Sequence, residues 1–424
     1  MTDDSLSHIA SCLAGYDPDS MPVPLAQDFI AKILPKPSVQ ERVSLRAALG
    51  RVLAQDIVST LQVPAHDNAA MDGYALRGAE LLDAAPTRLQ LAGTSLAGAL
   101  PAAGLAAGQC QRIMTGAPMP PGLDTVVPQE FVTREGEVVI IPAGVVRAGA
   151  NRRLAGEDLA LGQLALPAGR RVTPADLGLI ASLGLAEVPV WRRLRVAILA
   201  TGDELRPVGE PLPPGCVYDS NRHTMWGMLT RLGVEVIDLG VIRDDPTSLR
   251  EAFKTAAEQA DAVLSSGGVS VGEADHTKAV MGEVGEVLFW KIAMRPGRPL
   301  AVGRLGDAIL FGLPGNPVAV MVSFYAFVRD ALLAMSGASP APLPMLRAAT
   351  TTPLRKKAGR TEYQRGIVSR AADGGWQVEI TGNQGSGVLS SMSRANGLVV
   401  LPHEQGDVEA GSAVDVLPFE GLIA

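Results

Sequence analysis

The sequence has 424 residues, of which 47% are hydrophobic, 19% are charged and 4% are aromatic, and its formal net charge at pH 7 is −7. A chain of this length exceeds what one compact core supports, so we expect roughly two to four domains. The acidic charge and the scarcity of aromatic side chains disfavour nucleic-acid binding, which needs a basic surface that displaces counterions.

The three cysteines, Cys12, Cys110 and Cys216, are far apart and belong to no CxxC or Cys/His cluster. The pattern therefore favours neither a disulfide framework nor a structural zinc site. The first residues are acidic and lack the apolar stretch of a secretory signal. The sequence contains no run of about 18 uncharged apolar residues, so it does not predict a membrane span. We therefore expect a cytoplasmic protein that binds neither membranes nor nucleic acids.

The first 58 residues predict a polar lead followed by helices. Residues 1–20 are polar and are expected to form a flexible lead. From Pro22 to about Val58 apolar residues recur at the helical period, first over Phe29–Leu34 and again over Leu45–Leu49.

Residues 59–162 consist of short apolar segments between Gly and Pro turns, such as GQCQRIMTG and GEVVIIPAG. This pattern predicts a β-rich domain. A helix is predicted from Pro174 to Gly184, where Thr173 can cap the start and Gly184 can end it. We expect residues 21–58 and 163–189 to form together an elongated helical linker domain.

Residues 190–342 alternate between apolar strands and helical segments. The first strand, Arg195–Ala200, is a near-continuous apolar run, which is typical of a strand covered on both faces. The alternation predicts right-handed crossovers and an α/β domain with a mostly parallel sheet. Its other predicted elements are a helix over Asn221–Leu232 capped by Ser220 and stopped by Gly233, a strand over Val234–Val241, a helix over Ser248–Gln259 entered through Asp245 and Pro246, strands over Asp261–Ser265 and Ile309–Leu313, and a helix from Pro317 to about Met335.

Residues 343–424 change character again. Short alternating segments such as GIVSR, WQVEI and AVDVLPF are separated by Gly-rich turns, which predicts a small, barrel-like all-β domain. The predicted fold class is therefore multidomain α/β plus β, with a central α/β domain, a helical linker region, a small β-rich domain and a C-terminal β-barrel-like domain.

Four predicted strands of the central domain are each followed by a polar or Gly-rich loop. In open α/β sheets, ligands bind outside the carboxyl ends of the strands, and those ends share one edge. We therefore expect the four loops to meet there. The loops are Thr201–Glu204, Arg243–Asp245, Ser265–Asp275 and Pro314–Pro317.

The chemistry of these loops suits a phosphorylated substrate and a divalent metal. The glycines of Ser266–Gly272 let backbone N–H groups approach an anion closely. Carboxylates from separate loops, Asp203, Glu204, Asp244 and Asp275, can hold Mg²⁺, which prefers oxygen ligands and shares them with phosphates. Taken alone, Asp203 or Asp245 could simply cap a helix. The coincidence of four such loops favours a site.

The segment Trp290–Pro299 carries three cations, Lys291, Arg295 and Arg298. A solvated basic face is one interpretation. Beside a phosphate-binding edge, an anion clamp is the better one, because Arg binds oxyanions through two parallel hydrogen bonds. Asn316-Pro317 reads as a helix cap and first helical position, and the same geometry points N–H groups towards the edge.

Six motifs occur in a fixed order from about residue 20 onwards. Together they resemble the MoeA-type molybdopterin molybdenumtransferases, a family that includes the E domain of gephyrin. The motifs are Asp67–Ala75, Ile113–Pro118, Gly156–Asp158, Thr201–Leu205, Ser265–Asp275 and Gly312–Pro317.

The resemblance implies an enzyme that binds adenylylated molybdopterin, inserts molybdate at the dithiolene and releases AMP. It implies dependence on Mg²⁺ or a similar divalent ion. It also implies a homodimer whose cleft combines the α/β domain of one subunit with parts of the other. Transient contacts with the molybdopterin adenylyltransferase and with enzymes that receive the cofactor are expected.

The family motifs also imply roles for individual residues. For Asp72 this is the only support, because Asp67–Tyr74 could otherwise be a simple turn. Some members carry Lys where this chain has Arg295, and a guanidinium differs from an ammonium in geometry. The predicted catalytic residues are Asp72, Thr115, Asp158, Glu204 and Asp275; the predicted metal ligands are Glu204, Asp244 and Asp275; and the predicted anion-binding residues are Ser265, Gly267, Gly268, Ser270, Lys291, Arg295, Arg298, Pro314, Gly315, Asn316 and Pro317.

Two other functions are compatible with parts of the pattern. The adenylyltransferase of the preceding step shares the α/β domain with its Gly-Gly loop, but it is a single small domain, whereas three further blocks occur here. A receptor-clustering scaffold like gephyrin relies on an additional fused domain and a long linker, which we do not expect in this chain. The molybdenum-inserting transferase is therefore the predicted function.

Overall fold

The computed structural model describes residues 5–11, 13, 15–99, 104–269, 276–341 and 343–419. The chain forms two compact units. The first unit contains residues 1–41, 50–54 and 189–424, and the second contains residues 42–49 and 55–188. The finer domain bounds expected from the sequence stay predictions.

The elements up to residue 191 are mostly short strands. Single turns of 3-10 helix lie at Leu45–Ala48, Gly78–Glu80 and Gln129–Phe131. The helices are α1 (Leu6–Ser11), α2 (Val23–Ile33) and α3 (Pro174–Ser182), and the strands are β1 (Gln40–Ser44), β2 (Ile57–Val58), β3 (Asn68–Ala69), β4 (Gly73–Leu76), β5 (Thr87–Ser95), β6 (Gln109–Ile113), β7 (Thr125–Pro128), β8 (Thr133–Glu135), β9 (Val138–Ile141), β10 (Arg152–Arg153), β11 (Leu164–Leu166) and β12 (Glu187–Trp191).

The second unit is built on a six-stranded sheet with the order β7-β4-β6-β5-β9-β8. The strands β4 and β7 in this sheet are buried along their whole length, and each face of the sheet covers its own core. Ala75, Ile113 and Val126 belong to one core, and Leu76 and Val139 belong to the other. The β-rich character predicted for this region is confirmed.

Two helical expectations near the start of the chain need correction. Only α2 forms within the predicted run from Pro22 to Val58, and Leu45–Ala48 makes one turn of 3-10 helix after a strand. Pro35 and Pro37 interrupt the helical hydrogen bonding between the two apolar groups. In the polar segment expected to be a lead, α1 buries Leu6 and Ala10 in the core of the first unit.

Helix α3 begins as predicted, with Thr173 as its cap. The Thr173 hydroxyl accepts a hydrogen bond from the N–H of Asp176 at 3.4 Å, and the N–H of Thr173 donates to the Asp176 carboxylate at 2.8 Å. This reciprocal capping box satisfies two N–H groups that a helix start otherwise leaves free. Burial opposes ionisation of Asp176, but hydrogen bonds from Arg170 and Thr173 outweigh it and lower the pKa of this carboxyl.

The central part of the first unit alternates between strands and helices. Its helices are α4 (Asn221–Leu232), α5 (Pro246–Gln259), α6 (His276–Val284), α7 (Pro317–Ser323) and α8 (Arg329–Met335), and its strands are β13 (Arg195–Thr201), β14 (Leu205–Arg206), β15 (Val217–Tyr218), β16 (Glu235–Ile242), β17 (Ala262–Ser266), β18 (Glu286–Lys291), β19 (Met294–Arg295), β20 (Pro299–Leu305) and β21 (Ala308–Leu313).

Six of these strands form a sheet with the order β16-β13-β17-β21-β20-β18. The pairings among β16, β13, β17 and β21 are parallel, and β20 and β18 add antiparallel pairings. The predicted mostly parallel α/β domain is confirmed. Strand β13 shows why its sequence is continuously apolar: Val196 and Ile198 enter one core, and Ala197 and Leu199 enter the core on the opposite face.

The caps of α4 and α5 divide the sequence predictions. Asp245 caps α5, with its carboxylate accepting the N–H groups of Thr247 and Ser248. Ser220 occupies the cap position of α4 but its side chain makes no cap hydrogen bond. The Asp219 carboxylate instead accepts the N–H of Arg222 at 3.1 Å. Gly233 ends α4 with a φ of 87°, as predicted.

A long apolar helix covers the sheet. It runs continuously over Pro317–Met335, with one π-helical turn at Phe324–Val328 between α7 and α8. Among the described residues, this helix is long and apolar enough by length and composition to cross a membrane. However, 78% of its apolar stretch is buried inside the protein. Burial of this extent identifies it as a core helix.

The C-terminal part of the first unit is a small barrel. Its elements are β22 (Leu346–Thr350), β23 (Thr361–Arg370), β24 (Trp376–Ile380), α9 (Leu389–Arg394), β25 (Gly397–Leu401) and β26 (Ala413–Pro418). The sheet has the order β23-β24-β22-β26-β25, and a further pairing of β23 with β25 closes it. Strand β19 extends the same sheet by pairing with β23. The predicted barrel-like domain is confirmed.

Replacing Thr173 by Ala should lower the free energy of unfolding by about 1 kcal/mol, because the start of α3 loses the side-chain half of its capping box. Denaturant unfolding followed by circular dichroism measures this change. Ser182→Ala is a matched control at the other end of α3, where the hydroxyl donates only to the Leu179 carbonyl, and its effect should stay within about 0.5 kcal/mol. Equal losses in both variants would contradict the assigned cap.

Candidate active site

A cavity of about 970 Å³ lies in the first unit at the carboxyl ends of β13, β17 and β21. The loops that follow all four predicted strands contribute to its lining. The loop after β16 contributes Asp244. The C-terminal barrel contributes the remaining wall. The lining residues are Thr201, Gly202, Glu204, Asp244, Gly267, Gly268, Met294, Arg295, Pro296, Gly297, Arg298, Pro299, Pro314, Gly315, Asn316, Ala319, Arg360, Gln384, Gly385 and Ser386.

One wall of this cavity is acidic. A Cβ at Gly202 would lie 2.5 Å from the Glu204 Oε2 atom, so glycine lets the Glu204 carboxylate fold back over the loop. The Asp244 N–H donates to the Asp203 carboxylate at 3.3 Å, and the Thr277 hydroxyl donates to the Asp244 carboxylate at 3.4 Å. Neither Glu204 nor Asp244 forms an ion pair with any cation that the structure describes. Both carboxylates are therefore available to a ligand.

The glycine loop after β17 packs closely against the backbone at the carboxyl end of β13. The Gly267 N–H donates to the Leu313 carbonyl at 3.1 Å, so this N–H is not directed at the cavity. A Cβ at Gly267 would come within 2.6 Å of the Thr201 carbonyl oxygen, which no other residue tolerates. Gly267 and Gly268 thus contribute surface to the cavity. Ser265 is fully buried in β17 and does not line it.

Two predicted residues of this loop, Ser270 and Asp275, lie outside the residues that the structure describes. Their predicted roles in anion and metal binding stay predictions.

Another wall of the cavity is cationic. Arg295 and Arg298 are exposed and line the cavity, and within the described ranges neither forms an ion pair. Arg360 also lines the cavity, but its guanidinium binds the Glu362 carboxylate at 2.6 Å. Lys291, predicted as a third anion ligand, is not a lining residue and pairs with Asp19 at 2.5 Å.

The barrel wall of the cavity is organised by Arg365, which is 1% exposed. Its guanidinium donates to the carbonyls of Asn383 at 3.3 Å, Gln384 at 3.1 Å and Gly385 at 2.9 Å, and to the Ser391 hydroxyl at 3.0 Å. Burial and then the charge of Arg295 lower the pKa of Arg365 to about 10. A buried guanidinium therefore fixes the loop that presents Gln384 and Gly385 to the cavity.

Four cavity-lining residues have no predicted role: Arg360, Gln384, Gly385 and Ser386. They lie on two separate segments of the C-terminal barrel. The strand-end argument does not include them, because both segments follow the central α/β domain in the sequence.

The loop Pro314–Asn316 lines the cavity as predicted, and Pro317 begins α7. Asn316 occupies the cap position, but its side chain makes no cap hydrogen bond. The Val318 N–H at the helix start donates to the Ser386 carbonyl at 3.1 Å. This hydrogen bond ties the helix start to the barrel loop rather than leaving that N–H free for a ligand.

Three predicted catalytic residues, Asp72, Thr115 and Asp158, belong to the second unit. One Asp72 carboxylate oxygen accepts hydrogen bonds from the N–H and the hydroxyl of Thr115, both at 2.7 Å. These bonds, the backbone one first, hold the pKa of Asp72 below its ordinary value. Asp72, Thr115 and Asp158 are exposed. The contact joins two residues that lie 43 positions apart in the sequence.

Three family profiles match successive parts of the chain. Residues 21–184 match the MoeA N-terminal region (domain I and II), residues 197–334 match the probable molybdopterin-binding domain, and residues 347–419 match the MoeA C-terminal region (domain IV). The chain belongs to the MoeA-type molybdopterin molybdenumtransferase family. As a member, it is a molybdopterin molybdenumtransferase that acts in molybdenum cofactor biosynthesis.

Individual relatives match nearly the whole chain. The molybdopterin molybdenumtransferase of Haemophilus influenzae is 43% identical over 92% of this chain and 96% of its own length. That of Nostoc is 36% identical over 93% and 94%. A crystal structure of the molybdopterin biosynthesis MoeA protein of Pyrococcus horikoshii superposes with a TM-score of 0.83, at 28% identity, and covers 95% of this chain and 100% of that one. The predicted fold class, family and enzyme class are confirmed.

Replacing Thr115 by Val should raise the pKa of Asp72 towards its ordinary value, because the carboxylate loses its hydroxyl donor and keeps only the backbone N–H. The ionised carboxylate would then be lost at a higher pH than in the wild type. A carbon-detected NMR titration of the Asp72 carboxyl measures this shift. Thr115→Ser keeps the hydroxyl and should leave the pKa of Asp72 unchanged; an unchanged value in Thr115→Val would contradict the assigned hydrogen bond.

Proposed function

We propose that this transferase inserts molybdate into adenylylated molybdopterin and releases AMP in a divalent-metal-dependent reaction in the cytoplasm. The observation that carries the proposal is a single cavity with carboxylates Glu204 and Asp244 on one wall and Arg295 and Arg298 on the other. Its volume of about 970 Å³ is at the upper end of the range usual for small-molecule sites, as a nucleotide-linked pterin requires.

The acidic wall fits a magnesium ion. Glu204 and Asp244 offer the oxygen donors that Mg²⁺ prefers. The described residues include no group of three His, Cys, Asp or Glu side chains that could hold a metal ion by themselves. Mg²⁺ retains several waters and uses substrate phosphates as ligands, so two protein carboxylates suffice. Asp275 remains the predicted third ligand. The bound ion would offset the negative charge of the phosphoanhydride.

The cationic wall fits oxyanions. Arg295 and Arg298, free of ion pairs among the described residues, can each bind a phosphate or molybdate group through two parallel hydrogen bonds. Guanidinium groups held at the phosphoanhydride stabilise the charge that develops as AMP leaves. Glu204, whose carboxylate has no cationic partner in the described chain, can take a proton from a dithiolene thiol and pass it to a departing oxo group of molybdate, which leaves as water while the sulfur binds molybdenum.

We further propose that the enzyme is a homodimer in which a second copy supplies Asp72, Thr115 and Asp158 to this cavity. Support comes from the arrangement of these three exposed residues on the second unit, while the cavity is lined by the first unit alone. Asp72 is held ionised by Thr115 and so is prepared to act on a substrate. Transient contacts with the adenylyltransferase and with cofactor-receiving enzymes would deliver the substrate and remove the product.

Replacing Glu204 by Gln should reduce turnover by roughly 10²-fold or more, because the cavity loses one of two free carboxylates. AMP release and molybdenum insertion are measured with purified adenylylated molybdopterin, molybdate and Mg²⁺. Glu210→Gln removes the same charge from an exposed side chain a few residues away and should leave turnover unchanged. Full Mg²⁺-dependent activity in Glu204→Gln, or in Asp275→Asn, would refute the assigned metal site.

A mixed dimer tests the shared cavity. One subunit carries Asp72→Asn and a first affinity tag, the other carries Glu204→Gln and a second tag, and both are coexpressed and purified on both tags. If the cavity combines two copies, one of the two sites is intact, and the mixed dimer should show about half of wild-type activity. A mixed dimer as inactive as either parent would mean that each subunit forms its site alone, and failure to purify on both tags would exclude the dimer.

A further inference from the structure

The segment Tyr16–Met21 runs along the cationic segment that begins at Lys291. The Lys291 N–H donates to the Pro18 carbonyl at 2.8 Å, the Met21 N–H donates to the Lys291 carbonyl at 3.0 Å, and the Ala293 N–H donates to the Met21 carbonyl at 2.7 Å. The Met21 side chain is fully buried. The Trp290 indole N–H donates to the Tyr16 hydroxyl at 3.3 Å. Backbone and side-chain contacts therefore fix this segment in one register.

This register places the Asp19 carboxylate on the Lys291 ammonium, 2.5 Å away. The turn that presents Asp19 is held by its neighbour, because the Asp19 N–H donates to the Asp17 carboxylate at 2.9 Å. Hydrogen bonding to Lys291, and to a lesser degree the charge of Arg298, lower the pKa of Asp19. Asp19 is thus the carboxylate counter-charge of Lys291, one of the three predicted anion-binding cations.

The position of the pair connects it to the cavity. The Ile292 N–H donates to the Arg298 carbonyl at 2.6 Å, so the residue after Lys291 is bonded directly to one that lines the cavity. The side chains of Asp19 and Lys291 are 72% and 41% exposed. Water and salt screen an ion pair of this exposure, so an incoming anion can displace the carboxylate without a large penalty.

We propose that Asp19 is a positioning and selectivity residue: it holds the Lys291 ammonium in place, and the tetrahedral oxyanion of a substrate must displace the Asp19 carboxylate from it. This inference rests on the proposed function and on the anion-binding role of Lys291 that the sequence predicts. The oxyanion is either molybdate or the diphosphate group of adenylylated molybdopterin, each of which carries two negative charges. An internal carboxylate favours a dianion over the monoanions of the cell, because only the stronger charge competes with it for the ammonium.

The test replaces Asp19 by Asn and measures KM separately for molybdate and for adenylylated molybdopterin. The KM for the anion that Lys291 binds should fall roughly two- to five-fold, the range expected from loss of one exposed competing charge. That KM should also depend more steeply on ionic strength than in the wild type, while kcat changes little. Unchanged KM values for both substrates would overturn the proposal.

Three further variants separate the possible causes. Asp17→Asn removes the same charge from the same segment, but its carboxylate contacts a backbone N–H rather than a cation, so its KM values should match the wild type. An equal fall of KM in Asp17→Asn would reduce the effect to general charge and overturn the proposal. Asp19→Glu keeps the counter-charge and should restore KM to near the wild-type value.

Lys291→Met distinguishes this inference from the function on which it rests. It should raise KM for the same substrate, and adding Asp19→Asn to it should cause no further change, because the two effects act through one ion pair. If Lys291→Met weakens binding but Asp19→Asn has no effect, only the role of Asp19 fails. If Lys291→Met leaves both KM values unchanged, the proposed role of Lys291 as an anion ligand fails first.

Discussion

The parallel pairing of β13 with β16 and β17, and of β17 with β21, is the constraint on which the cavity depends. The register aligns the strands at their carboxyl ends: Thr201 lies opposite Ile242, Ala200 opposite Ser266, and Ser266 opposite Leu313. Each strand is followed at once by a loop of the cavity, so residues separated by more than a hundred positions meet at one edge. A shift of one residue in any of these pairings would turn the strand's apolar side chains to the wrong core.

Around this edge the charges are separated by sign. Glu204 and Asp244 lie on loops of the parallel strands, whereas Arg295 and Arg298 lie on the segment between the antiparallel strands β18 and β20. Where a cation of the barrel wall could disturb this separation, it is bound elsewhere: Arg360 pairs with Glu362, and Arg365 is enclosed by carbonyls.

Much of the fold could be predicted from the sequence, because its information is local. The strand β13 and the helices α3, α4 and α5 follow from apolar periodicity, caps and a terminal glycine such as Gly233. The strand-end rule then located Glu204, Asp244 and Asn316 in one cavity without any three-dimensional information. Helix α1 was not predicted, because its two buried residues, Leu6 and Ala10, lie in a segment that is polar on average.

The remainder of the site could not be predicted because it depends on long-range packing. Nothing near Gln384 or Ser386 in sequence indicates that the barrel loop reaches the sheet edge. The antiparallel strands β18 and β20 were not predicted, because the prediction rests on the alternation of strands with helices. These two strands pair with each other without a crossover helix between them. The Lys291–Asp19 pair joins residues 272 positions apart, and no periodicity or spacing rule reports such a contact.

Strand β19 gives the barrel a structural part in the transferase domain. Met294 and Arg295 hydrogen-bond as a strand with Thr361 and Glu362 of the barrel, although they lie in the middle of the α/β sequence. Excision of the α/β domain at residue 343 would leave this two-residue strand as an unpaired edge, with its N–H and C=O groups facing water. Arg295 would then lose the backbone support that aims it. The two regions are separable by sequence but share one strand, so the transferase cannot be trimmed to its α/β domain without dismantling its own cationic wall.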